Sequence, residues 1–156
     1  MKNTLYIMCG APGSGKSTFA KTHYPDATYI SRDEIRYSIV TENERYFSKE
    51  DEVFNIFVNK INTALRESVD VIADATHLNP RSRAKLFSHL NIDKAHTQVV
   101  AIVMRTPLNV CFERNENRQG TRAYVPPAVI RRMYNSFKLP TTEEYNGIID
   151  FVHIIT

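Results

Sequence analysis

An α/β domain with a mostly parallel sheet of four to five strands and helices on both faces is the fold class this sequence predicts. Three observations predict it. Short apolar runs of strand length stand at Leu5–Cys9, Tyr29–Ile30, Val71–Ala73, Val99–Met104 and Ile148–Ile155. The stretches between them carry helical spacing. Val71–Ala73 and Val99–Met104 are uninterrupted rather than alternating, which marks strands buried on both faces of a parallel sheet. A chain of 156 residues has room for one core, so residues 1–156 read as a single domain.

Taken in order, Leu5-Tyr6-Ile7-Met8-Cys9 runs into a Gly-rich turn, and Phe19-Ala20 with His23-Tyr24 then gives helical spacing. Tyr29-Ile30 is closed by Ser31-Arg32-Asp33-Glu34, after which Ile35, Ser38 and Ile39 suggest a helical piece. Residues 41–51 are polar and read as a surface loop. From Glu52 to Ser68, apolar residues at 53, 54, 57, 58, 61, 64 and 65 make one stripe, so this is a core helix. Its Phe54 and Phe57 read as core rather than as a ligand box. After Val71-Ile72-Ala73-Asp74, Asn79-Pro80 supplies an N-cap and a first-turn proline, with Leu86, Phe87 and Leu90 facing inward. Thr106-Pro107 repeats that signal for a helix through about Asn117. Pro126-Pro127 opens a last helix with Val129, Ile130, Met133, Tyr134 and Phe137 on its inner side.

The composition, 42% hydrophobic and 24% charged, is that of an ordered globular chain. The net charge of +3 is small, but ten Lys/Arg stand against three acids between Arg81 and Arg132. A local basic excess suits an anionic ligand. The longest apolar run is far short of a membrane span and the N-terminus lacks a signal-peptide core, so no membrane partner and a cytoplasmic location, including that of a phage-infected bacterium, are expected. Cys9 and Cys111 read as buried free thiols. The five histidines lack ligand spacing, so no zinc site is expected, and no partner protein is identifiable.

Gly10-Ala11-Pro12-Gly13-Ser14-Gly15-Lys16-Ser17-Thr18 matches the phosphate-loop pattern G-x-x-x-x-G-K-[ST] in full, between a predicted strand and a predicted helix. The glycines let successive backbone N–H groups point into one concavity, and the following helix presents its positive end there. Lys16 is placed to reach the β- and γ-phosphates of ATP, and the Ser17 hydroxyl to ligate Mg²⁺.

Asp33 follows the second strand at its carboxyl end, the edge at which open α/β sheets bind ligands. A carboxylate there can take the proton of an attacking hydroxyl, with Arg32 and Arg36 supplying positive charge beside it. A solvated helix start is the plain alternative. Asp74 also ends a buried strand, where a carboxylate can order a Mg²⁺ water or contact the acceptor. Thr76, His77 and Asn79 follow in the same loop, for substrate contact or for capping. Arg114, Arg118 and Arg122 are spaced by four and would share one face of a continuous helix, a basic lid over the triphosphate.

Three blocks combine in order: the phosphate loop, Ser31-Arg32-Asp33-Glu34-Ile35-Arg36, and Asp74-Ala75-Thr76-His77-Leu78-Asn79-Pro80. With Arg114-Asn115-Glu116-Asn117-Arg118-Gln119-Gly120-Thr121 and Arg131-Arg132-Met133-Tyr134, they resemble the kinase domain of the T-even phage-type polynucleotide kinases and their small stand-alone, AAA-like P-loop kinase relatives. The resemblance implies a P-loop kinase fold with an Arg-rich lid, ATP and Mg²⁺ as donor and metal, and Lys16 and Ser17 as their holders. It implies Asp33 as general base toward a 5′-hydroxyl, Arg36 on the acceptor side, Arg118 on the donor phosphates and Asp74 in the acceptor pocket. The family's phosphatase domain has no counterpart here, so only kinase chemistry is implied. The ending from Leu139 to Tyr145 is closer to the stand-alone relatives.

The leading expectation is therefore transfer of the ATP γ-phosphate to a nucleic-acid 5′-end. The alternatives are a small metabolite, a nucleoside or a modified DNA base as acceptor, and a nucleotide switch without transfer. A GTPase switch needs Asp-x-x-Gly and Asn-Lys-x-Asp, and the nearest match, Asn59-Lys60-Ile61-Asn62, lies in the amphipathic helix without the aspartate.

Overall fold

All five apolar runs become strands, and the segments between them become helices as the periodicity required. The computed structural model describes residues 2–156. In chain order the elements are β1 (Asn3–Cys9), α1 (Lys16–His23), β2 (Thr28–Ser31), α2 (Arg32–Ile39), α3 (Glu50–Arg66) and β3 (Val71–Asp74). They continue with α4 (Pro80–His89), β4 (Thr97–Met104), α5 (Leu108–Glu116), α6 (Pro127–Ser136), the short α7 (Glu144–Gly147) and β5 (Phe151–Ile155). The sheet order is β2-β3-β1-β4-β5 and every pairing is parallel. All strand C-termini therefore point to one edge, where Met8 and Ser31 both lie in register with Asp74.

Because both sheet faces are covered, strand residues bury alternately into two cores. Leu5, Ile7, Val71, Ala73, Val99, Ala101 and Val103 pack with the stripe of α3 and with Leu86 and Phe87 of α4. Met8, Ile72, Val100 and Ile102 pack with Ala20 of α1 on the other side. Both thiols are buried and free.

Four local expectations change. The Thr106 hydroxyl donates to the Ser14 carbonyl at 2.6 Å instead of capping α5, whose N-cap position is Pro107. The strand expected from Ile148 begins only at Phe151, because the Asp150 carboxylate accepts from Val99 N at 2.8 Å and pairs with Lys94. Tyr134 is exposed and Ile130 is the fully buried residue of α6, since this helix packs on α5 and not across the sheet. Finally, α5 stops at Glu116, so the arginine series does not run along one helix.

The Asn79 cap is present as a reciprocal box with Ser82. One turn further on, Arg83 is completely buried, pairing with Glu144 at 2.6 Å and donating to the His77 carbonyl at 2.8 Å. Removing the cation alone would strand a nearly buried carboxylate. Arg83→Met is expected to lower the unfolding free energy in urea by about 3–5 kcal/mol; an unchanged midpoint would show the pair to be dispensable.

Candidate active site

The phosphate loop links the end of β1 to α1, and its shape is set by contacts that exclude a side chain. At Gly13, φ is +81° and a Cβ would meet the Cys111 carbonyl oxygen at 2.8 Å, so α5 packs directly on the loop. Gly10 N donates to the Thr76 carbonyl at 2.9 Å, which ties the loop to the segment after β3. Ser14 N closes a turn onto Ala11 O at 3.2 Å. Lys16 Nζ donates to the carbonyls of Gly10 and Ala11 at 3.0 and 3.1 Å. Burial draws its pKa down, and the carboxylates of Asp74 and Asp33 oppose that shift.

Asp74 is buried at the end of β3, which lies between β2 and the central β1. Its Oδ2 accepts from the Ser17 hydroxyl at 2.7 Å and from the Tyr29 hydroxyl. Burial first, then the Asp74 charge, pushes the Tyr29 phenol up, which keeps it a donor. Ser17 and Asp74 are thus a pair of hard oxygen donors beside the loop, the donor chemistry that Mg²⁺ takes when nucleotide phosphates complete its shell.

Asp33 lies in the first turn of α2, capped by Ser31, whose hydroxyl accepts from Glu34 N at 3.2 Å. Its carboxylate accepts from Arg36 Nη1 at 2.6 Å and from the Tyr46 hydroxyl at 3.1 Å, and the side chain is 66% exposed. Arg36 itself is buried. It also forks onto Glu50 of α3, with Nε and Nη2 at 2.7 and 2.6 Å from the two carboxylate oxygens. Burial alone would lower the guanidinium pKa, but hydrogen bonds to Glu50 and Tyr46 with the Glu50 and Asp33 charges raise it. Glu50 answers in kind: burial works upward, and Arg36 followed by Arg32 holds its carboxyl below the usual range.

A cavity of about 270 Å³ joins these groups. Pro12, Gly13, Gly15, Lys16, Ser17 and Thr18 form its loop wall; Arg32, Asp33 and Arg36 form the α2 wall; Asp74 and Thr76 close its floor at β3. Arg118 lines it from the segment after α5. Arg114 instead donates to the Gly13 carbonyl at 3.2 Å, against the loop. Arg122 is placed elsewhere: it donates to the carbonyls of Tyr37 and Val40 at the end of α2 and stacks on Tyr37.

Tyr46, Phe47 and Glu50 all fall in the 41–51 stretch expected to be a plain polar loop, of which Glu50 instead begins α3, and all three line the cavity. The aromatic pair Tyr46-Phe47 inside otherwise polar surroundings was the available signal. Phe54 and Phe57 are buried as expected, yet they also wall the cavity. His77 is buried at φ +44° with its Nδ1 at 2.6 Å from the Met8 carbonyl.

Residues 5–140 match a family model described as an AAA domain. The chain belongs to the AAA domain family. Its five-stranded parallel sheet and loop are those of the P-loop kinase fold, for which ATP is the implied nucleotide. An L-seryl-tRNA(Sec) kinase of Methanococcus maripaludis is 33% identical over 147 residues, covering 89% of this chain and 54% of that protein. In a solved structure of the Pnkp1/Rnl/Hen1 RNA repair complex, one chain shares the fold at TM-score 0.73 and 23% identity, over 86% of this chain and 44% of that one. A gluconokinase from Sinorhizobium meliloti 1021 shares it at TM-score 0.57 and 18% identity, over 98% of this chain and 81% of its own. This AAA domain spans about half the length of the tRNA kinase relative. Among the described residues, no helix is long and apolar enough to cross a membrane.

His77 gives the site a pH signature. Burial lowers its pKa to about 4, outweighing the hydrogen bond at Met8. A histidine kept neutral in the native state favours unfolding as the unfolded chain takes up its proton, so its contribution is complete above about pH 6.5 and is lost as pH falls toward 4. Stability to urea is expected to decline across that window by about 3 kcal/mol from this group. His77→Asn, which tolerates the positive φ, should flatten the decline; an equally steep profile in the variant would assign it elsewhere.

Proposed function

We propose that this AAA domain is an ATP-dependent kinase that transfers the γ-phosphate to the 5′-hydroxyl of a DNA or RNA strand. The observation that carries the reading is that one cavity holds both halves of such a site. Lys16, Ser17 and Arg118 line the donor side, and the exposed Asp33 carboxylate faces the acceptor side. With the triphosphate in the loop, Asp33 accepts the proton of the attacking hydroxyl while that oxygen bonds to the γ-phosphorus. The bond from phosphorus to the β-phosphate oxygen breaks and ADP leaves. Lys16 and Arg118 offset the negative charge on the moving group. Ser17 and Asp74 would hold Mg²⁺, which lends positive charge to the phosphates when bound.

Between Arg81 and Arg132, Arg83 and Lys94 are paired within the fold and Arg114 and Arg122 bond backbone carbonyls, and the basic residues that remain favour a polyanionic acceptor over a neutral one. The tRNA kinase relative and the RNA repair neighbour agree with that choice. A second reading keeps the chemistry and changes the acceptor to a small hydroxyl metabolite. The gluconokinase neighbour, which aligns over nearly the whole chain, favours that reading.

Incubation with labelled ATP and a panel of 5′-hydroxyl oligonucleotides, nucleosides and sugars separates the two. The polynucleotide reading expects label on oligonucleotides, and label confined to small compounds would overturn it. Asp33→Asn is expected to reduce kcat by about 10²–10⁴-fold while ATP affinity stays within about twofold, because the amide keeps the shape and loses the basicity. Full activity in the variant would remove Asp33 as the base.

A further inference from the structure

We infer that Phe47, backed by Tyr46 and Arg36, is the platform on which the terminal nucleobase of the acceptor strand stacks, and so is a specificity-determining residue of this kinase. The inference rests on the polynucleotide reading given above.

Phe47 is 50% exposed although it is a large apolar ring at the wall of the cavity. An apolar ring left open beside a polar cleft is where a flat ligand gains most by covering it. The ring is also held in place from behind. Tyr46 meets it edge to face, with centroids 4.9 Å apart, and the Arg36 guanidinium carbon lies 5.1 Å from the Phe47 centroid and 4.9 Å from that of Tyr46. Arg36 is in turn fixed by its fork onto Glu50. Tyr37 stands behind Tyr46, with centroids 5.8 Å apart. The platform is therefore assembled without the ligand, which reduces the ordering cost of binding.

Its connection to the chemistry is direct. The Tyr46 hydroxyl donates to the same Asp33 oxygen that Arg36 contacts, at 3.1 Å. The proposed base and the aromatic pair are thus ends of one hydrogen-bonded unit. A terminal nucleoside carries its 5′-hydroxymethyl group and its base on the same face of the sugar ring, on the two carbons that flank the ring oxygen, so both can meet groups on one wall of the cavity. With the hydroxyl at Asp33, the base reaches past the Tyr46 hydroxyl to the rings. Every base offers a π-face, so the platform selects a nucleoside end over a sugar alone without selecting sequence.

The test compares a 5′-hydroxyl oligonucleotide with the same strand bearing an abasic 5′-terminal sugar, for the wild-type chain, Phe47→Ala and Phe47→Trp. Stacking predicts that the wild type prefers the base-bearing end by about 5- to 100-fold in kcat/KM. Phe47→Ala should abolish the preference through KM with ATP affinity unchanged, and Phe47→Trp should restore it. Efficient phosphorylation of both strands by all three proteins would overturn the platform and leave the polynucleotide reading standing. Absence of oligonucleotide phosphorylation by the wild type would overturn both.

Discussion

Asp74 is paired in the sheet with Met8 on one side and Ser31 on the other, and from that position its carboxylate accepts the hydroxyl hydrogens of Ser17 and Tyr29. The arrangement depends on parallel pairing. In a parallel sheet every strand delivers its following loop to the same edge. The end of β1 therefore brings the phosphate loop, the end of β2 brings Asp33, and β3 between them brings Asp74. Reversing β3 would carry its carboxylate to the opposite edge of the sheet. The buried cores on both sheet faces hold this register, because a one-residue slip would exchange every side chain between the two cores.

Around that junction the charges are organised as a chain. Glu50 of α3 neutralises Arg36, and Arg36 reaches Asp33. A buried guanidinium needs such partners, since an unpaired charge away from water is costly. The same fork holds α2 against α3 and fixes the direction in which the proposed base faces the cavity. One interaction thus serves the packing of two helices and the geometry of the α2 wall of the cavity.

The phosphate loop is held by close approach instead of charge pairing. Gly13 lies against the backbone of α5, the Thr106 hydroxyl fastens the loop at Ser14, and Arg114 fastens it at Gly13. The segment after α5 is then clasped at both ends: the Asn115 side chain bonds both backbone groups of Val125, and Arg122 grips the end of α2. This leaves Arg118 at the cavity between two anchored points. The basic segment thus runs from α5, which packs on the phosphate loop, to the end of α2.

The sequence by itself determined the order of strands and helices, the two-faced burial of the sheet and the phosphate loop. Each is written in local pattern: runs of apolar residues, a 3.6-residue period from Val53 to Leu65, and glycines at fixed offsets before Lys16. It also nominated Asp33 and Asp74, because a carboxylate ending an apolar strand stands out in a linear reading. Only the tertiary structure decided which groups those carboxylates meet. The partnership of Arg36 with Glu50 joins residues 14 apart across two helices, and that of Ser17 with Asp74 joins residues 57 apart. The fate of the three arginines was undecidable from spacing, since a shared face exists only while the helix continues, and α5 ends before Arg118. Contacts between distant segments arise from packing, and packing leaves no periodic trace in the residues that make it.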